Sequence, residues 1–183
     1  LRRHDLRQAG IWPLDWHGPG GKYCRRLVLN GRKGGTDKQI LAGLQWAIQQ
    51  GVDVISMSLG GLTLSPDVPS TYTVSILNAL RLGIPVVTAI GNDGSQTSGS
   101  PANDFFSFAI GATDHRDRVA GFSGGRTHVI RQSRFIAPEN LPLVYSKPDI
   151  SAPGVGVYSR AQSPCYSAPP RYATEWSRPT EHS

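Results

Sequence analysis

The chain has little sulfur and no long apolar run. Two cysteines, Cys24 and Cys165, in 183 residues make neither a disulfide framework nor a metal cluster. No stretch of about 18 apolar residues occurs, which excludes an ordinary membrane-spanning helix. The opening LRRHDLRQAG lacks the apolar segment of a secretory leader. From Ala161 to Ser183 there is no Leu, Ile, Val, Met or Phe, while four prolines and many small polar residues fill the space. Such a segment buries too little apolar surface to offset its ordering entropy, so a mobile tail is expected.

What is present suits one ordinary domain with room for a core. The formal charge is +6, which raises the question of a nucleic-acid partner. Its distribution argues against one. Residues 1–26 carry six basic against two acidic side chains, the tail is balanced, and the body from 27 to 160 holds only two excess positive charges. No basic stripe is interleaved with aromatics, so the basic end reads as a solvated segment.

The body, 27–160, has the texture of an α/β domain. RLVLN (26–30) is a short apolar run that predicts a buried strand. Thr36 and Gln39 have capping-box spacing, Ile40, Leu41, Leu44 and Ile48 recur at helical spacing, and Gly51 supplies a stop. VDVISMSL (52–59) predicts a second strand. TYTVSILNALRLG (71–83) repeats the helical pattern on Val74, Leu77 and Leu80. IPVVTAI (84–90) and SFAIGAT (107–113) predict a third and a fourth strand. This alternation implies right-handed crossovers and a parallel sheet, in a three-layer core flanked by helices. Sites in such sheets collect beyond the carboxyl ends of the strands, here SLGG and AIGNDG. The expected organisation is thus a non-family segment 1–26, an α/β domain 27–160 and a tail 161–183.

Four segments in order, GVDVISMSLGG (51–61), GIPVVTAIGNDG (83–94), SPANDFFSFAIGATDHRDRVAGFSGGR (100–126) and KPDISAPGVGVYS (147–159), resemble the subtilisin-like serine proteases. The resemblance implies a truncated subtilisin-like α/β fold and peptide-bond hydrolysis as the ancestral activity. It assigns Asn92 as the oxyanion-hole donor. A pre-positioned amide at that point is worth roughly 3–4 kcal/mol in a serine protease. It assigns Ser58, Leu59, Gly60 and Gly61 to pairing with substrate backbone, and Ala89, Ile90 and Gly91 to the primary specificity pocket. Read without the family, Asn92 is a turn residue in GNDG, and both strand ends are simple terminations. The partner implied is a polypeptide substrate or peptide ligand, with no nucleic acid and no membrane. Self-association through exposed edges is expected. Calcium is allowed by the resemblance, with no ligands placed. An extracellular location follows if a full-length parent behaves as its family does.

The family's triad of Asp, His and Ser, in that order, is not found. His4 and His17 are not followed by Gly-Thr, and the tail has no Gly-Thr-Ser. Ser123 in GFSGG fits Gly-x-Ser-x-Gly as a string, but no helical pattern follows it, as a nucleophile elbow requires. His115 and His128 read as surface loop residues, and Asp149 as structural. The chain is therefore expected to be inactive or nearly so. The alternatives are a non-catalytic peptide-binding or oligomeric scaffold, and another hydrolase with an improvised site drawn from His4, His17 or Ser167. Codons permitted for residues 1–26, read one base later, allow a family-like string with Thr-Phe-Gly and Gly-Met-Ala-Pro-Glu-Ala that joins directly onto LVLNG. The first segment thus reads as out-of-frame translation.

Overall fold

The computed structural model describes residues 24–29, 34–63 and 70–156. Most of segment 1–26 and all of the tail 161–183, with His4, His17 and Ser167, lie outside the described residues. The elements that follow belong to one unit, Leu27–Val155.

Helix α1 spans Asp37–Gln49. Its start is the capping box the sequence announces. The Thr36 Oγ1 accepts from the Gln39 N–H at 3.4 Å, and the Gln39 Oε1 accepts from the Thr36 N–H at 2.9 Å. Gly51, at φ +60, ends it. Helix α2 spans Thr73–Arg81. Its buried residues are Thr73, Ile76 and Ala79, whereas Val74 and Leu80 of the expected apolar stripe are 48% and 37% exposed. The stripe is rotated by one residue because Ile76, with no exposure, is the side chain that enters the core. The Tyr72 hydroxyl donates to the Asp37 Oδ1 at 2.7 Å and joins the starts of the two helices. Burial, then that bond and the carboxylate's charge, pushes the Tyr72 phenol well above its ordinary range.

The central sheet is parallel, with order β1-β3-β5-β8. The strands are β1 (Ile55–Met57), β3 (Val86–Ala89), β5 (Phe108–Thr113) and β8 (Ile150–Pro153). Two antiparallel pairs complete the fold. β2 (Gly61–Leu62) pairs with β4 (Gly99–Ser100), and β6 (Arg126–Ile130) with β7 (Leu143–Lys147). A short 3-10 turn, Pro138–Asn140, lies between β6 and β7. The expected strand in RLVLN does not form over 26–29, and residue 30 lies outside the described residues. Val28 and Leu29 pack on the core as irregular chain and belong to none of the sheets.

Both helices pack on the same face of the sheet. Ile40 and Leu44 from α1, and Ile76 and Ala79 from α2, form one cluster with Ile55, Met57 and Val86. Alternation along the strands and the register Ile55↔Val86 put those three strand side chains on that face. The crossover β1–α2–β3 therefore supplies the main core, and it holds the carboxyl ends of β1 and β3 side by side.

The turn after β5 is held by one carboxylate. Asp114 accepts from the Arg116 and Arg118 N–H groups at 2.8 and 3.0 Å, and from the Arg118 Nε at 2.8 Å. The Arg118 backbone bond is the largest of the causes that lower its pKa to about 2. A lowered carboxylate pKa adds stability that is complete above the unfolded value near 4 and lost as pH falls toward 2. Asp114→Asn is accordingly expected to flatten the stability profile between about pH 4 and pH 2. Denaturant midpoints of both proteins across that range check this, and identical profiles would contradict it.

Candidate functional site

The segments expected to handle substrate do meet. Met57 pairs with Thr88, so Ser58–Gly61 and Ala89–Gly91 leave the sheet as neighbours at the carboxyl ends of β1 and β3. Ser58, Gly60, Gly61 and Ala89 are exposed, Leu59 and Gly91 are half-buried, and Ile90 is buried. Ile90 packs with Ala102 and Ala109, which anchors the segment Ala89–Gly91 on a small buried cluster.

A third wall was not read from the sequence. Gly99 donates its N–H to the Ile90 carbonyl at 2.8 Å, while Gly61 and Leu62 pair with Ser100 and Gly99. The strand pair β2–β4 thus ties the SLGG end to the AIGN end. A Cβ on Gly60 would lie 3.0 Å from the Ser100 carbonyl oxygen, a distance at which the neighbouring backbone must shift. The signal available in the sequence was the Ser-Gly-Ser-Pro run at 98–101, a small-residue stretch with the same permissiveness as SLGG.

Asn92 is exposed on the turn that leaves β3. Gly91 before it adopts φ +107, a conformation that side-chain-bearing residues rarely adopt. The turn is braced from behind. The Gly124 N–H donates to the Gly91 carbonyl at 3.0 Å, and the Gly94 N–H to the Phe122 carbonyl at 2.9 Å. The Thr97 hydroxyl closes onto the Gly94 carbonyl at 2.6 Å. Asn92 is therefore an exposed residue on a turn whose backbone is held from behind.

The remaining candidates take structural places. Ser123 is buried, its Oγ accepts from the Ala112 N–H at 3.0 Å, and it contacts the Gly124 carbonyl at 3.3 Å. Its hydroxyl is occupied in bracing rather than presented to substrate. His115 is exposed, as expected of a loop residue. His128 is not a surface residue. It is fully buried in β6 and stacks on Tyr145 at 5.1 Å, because the hairpin folds that side of the strand inward. Asp149 accepts from the Ala109 N–H and from the Lys147 ammonium, each at 2.7 Å, and so clips β8 to β5. Among the described residues no group of three or more His, Cys, Asp or Glu side chains converges to hold a metal.

A sequence model of the subtilase family matches residues 23–177. The chain belongs to the subtilase family. Among curated proteins, this subtilase chain is 35% identical over 145 residues to Subtilisin DY of Bacillus licheniformis, covering 77% of the chain and 44% of that protein. It is 32% identical over 141 residues to alkaline elastase YaB of Bacillus sp. (strain YaB), covering 77% of the chain and 31% of that protein. The chain thus spans less than half the length of these relatives. Among solved structures, the prenylagaramide maturation protease PagA superposes with a TM-score of 0.50 at 19% identity. That superposition covers 57% of the chain and 41% of that structure, and it supports the fold alone.

Proposed function

We propose that this chain carries the peptide-recognition part of a subtilisin-like serine endopeptidase and binds extended polypeptide without efficient turnover. One observation supports the reading: the SLGG end and the AIGN end lie side by side, and β4 is joined to both by its pairing with β2 and by the Gly99 N–H bond to the Ile90 carbonyl. An extended peptide adds to these strand ends by main-chain hydrogen bonds along Ser58–Gly61, with one side chain directed toward Ala89–Gly91. The family resemblance assigns the Asn92 amide the role of donor to the scissile carbonyl oxygen, and its exposure on the turn after β3 is consistent with that role. Hydrolysis also needs a nucleophile and a base. The chain has no His-Gly-Thr or Gly-Thr-Ser motif, and Ser123 is engaged elsewhere. An oxyanion site alone leaves only weak residual catalysis.

The test is direct. Casein and a chromogenic peptide should show no turnover above buffer. A serine-directed fluorophosphonate should leave the intact mass unchanged. A stoichiometric adduct with turnover would overturn the inactive half of the reading and locate the nucleophile. Peptide recognition is probed separately. Gly60→Val places a side chain against the Ser100 carbonyl and should weaken binding of an extended hexapeptide about tenfold by calorimetry, roughly 1.4 kcal/mol. Unchanged affinity would remove SLGG from the binding surface.

The same reading treats residues 1–26 as out-of-frame subtilase sequence. The family match begins at residue 23, close to the join at Leu27, and it runs on to residue 177, into the low-apolar tail. Source DNA with no frame change near Leu27 would sink that part.

A further inference from the structure

The Asn-Asp-Phe-Phe run at 103–106 takes no part in the strand ends described above. It forms one wall of a pocket of about 290 Å³, part of it open to solvent, with the start of α2 and the β6–β7 hairpin opposite. None of the residues assigned to substrate lines it. Its floor is polar and its rim aromatic. Thr73, Asn103 and Asp104 are buried, whereas Phe105 and Phe135 are 41% and 40% exposed. The Phe105 ring stands edge-on to Tyr145 and to Phe106, with centroids 5.2 and 5.3 Å apart.

The hydrogen bonds of the floor are one-sided. The Asp104 Oδ2 accepts from the Ser70 hydroxyl at 3.0 Å and from the Thr73 hydroxyl, and the Oδ1 accepts from the Phe106 N–H at 2.9 Å. The Tyr145 hydroxyl donates to the Asn103 carbonyl at 2.7 Å. These donors are spent, and acceptors are left over. The Asn103 Oδ1 is buried with no hydrogen-bond partner, a rare state for a native polar atom. A carboxylate has about four acceptor sites, and the bonds to Asp104 use three of them. Among the described residues that line the pocket there is no Lys, Arg or His. The start of α2 supplies roughly half a positive charge, which balances the carboxylate only in part. Lys147 holds the same turn through the Phe105 and Ser107 carbonyls, and it does not line the pocket.

We propose that this pocket binds a small primary ammonium ion that carries one apolar ring, an aralkylamine. The ammonium brings donors and no acceptor, which suits the Asn103 Oδ1 and the remaining site on Asp104. Aromatic faces within about 6 Å of a cation favour it further, and the rim rings pack against its apolar body. An anion would meet acceptors only. A calcium ion takes about six or more oxygen ligands, which one carboxylate and one amide oxygen do not supply. The volume lies at the lower end of the roughly 300–1,000 Å³ usual for small-molecule sites, so one ring is the limit. The inference is independent of the peptide reading.

The experiment uses the full chain at neutral pH with benzylamine as the probe, and benzyl alcohol and benzoate as its neutral and anionic counterparts. Binding is read by calorimetry and located by amide chemical shifts. Benzylamine is expected to saturate in the millimolar range or below, within reach of a ligand of about eight heavy atoms. The shifts should fall on Asn103–Phe106 and Ser133–Ile136. Benzyl alcohol should bind at least tenfold more weakly, and benzoate should not saturate. Asp104→Asn should weaken benzylamine at least tenfold and leave benzyl alcohol unchanged, which also reports that the variant is folded. Phe135→Ala, on the exposed rim, should weaken both severalfold without touching the core. Equal binding of benzylamine and benzyl alcohol, saturation by benzoate, or full affinity in both variants overturns the proposal. So does the absence of saturable shifts, or their confinement to Ser58–Gly61 and Ala89–Gly91, which would assign the amine to the peptide surface.

Discussion

Lys147→Met is expected to destabilise the protein by about 3 kcal/mol in urea denaturation. The Lys147 side chain is 2% exposed, and its ammonium donates to the Ser107 carbonyl at 2.6 Å and the Asp149 Oδ2 at 2.7 Å. The Phe105 carbonyl lies at 3.5 Å. One cation therefore gathers the turn before β5, the end of β7 and the start of β8. Methionine fills a similar volume but leaves the Ser107 carbonyl and the Asp149 carboxylate without that donor, and an unsatisfied buried acceptor costs about 1–3 kcal/mol. The two partners are not equivalent. Asp149 is 31% exposed and also accepts from the Ala109 N–H, so water replaces part of what it loses. Asp149→Asn alone should cost only about 1 kcal/mol, and the double variant should show coupling of about 1 kcal/mol. A loss below 0.5 kcal/mol for Lys147→Met, on the scale of an exposed pair, would show that this contact is not structural.

Ile76→Ala is expected to cost about 3–4 kcal/mol, the upper part of the range for a fully buried aliphatic side chain. Ile76 has no exposure and packs with Ile40, Leu44, Ile55, Met57 and Val86. Those partners come from α1, β1 and β3, so the resulting cavity has rigid walls and collapses poorly. The same crossover holds the ends of β1 and β3 together, and peptide affinity should fall along with stability. Val74→Ala, on the exposed side of α2, should change stability by less than about 0.5 kcal/mol. Equal effects at the two positions would contradict the rotation of the helix.

Some of the architecture was legible because local physics decides it. The Thr36–Gln39 capping box and the Gly51 stop fix α1 by contacts within a few residues, so sequence spacing located them. The strand β3 was legible because a continuous β-branched and apolar run between Gly83 and Gly91 leaves few alternatives, and β5 because its short apolar run ends at the turn residue Asp114. The register of α2 was not. Val74, Leu77 and Leu80 and Thr73, Ile76 and Ala79 are both helical stripes, and only the sheet decides which one is buried. RLVLN failed for the complementary reason: a strand needs a neighbour, and apolarity alone does not supply one. His128 was misplaced because the β6–β7 hairpin, which turns it inward onto Tyr145, is a long-range pairing across 126–147. At the site, SLGG and AIGNDG were legible as strand ends. Gly99 was not, since its bond to the Ile90 carbonyl depends on how the intervening turn folds.

The central claim is that the adjacent segments 58–62, 89–92 and 99–100 form a peptide-binding surface. The most direct measurement is residue-resolved amide chemical shifts of the full chain during titration with an extended hexapeptide. The account predicts saturable shifts at Ser58–Leu62, Ile90–Asn92 and Gly99, with the peptide recovered intact. Shifts confined to other surfaces, or no saturable shift at millimolar peptide, would contradict it.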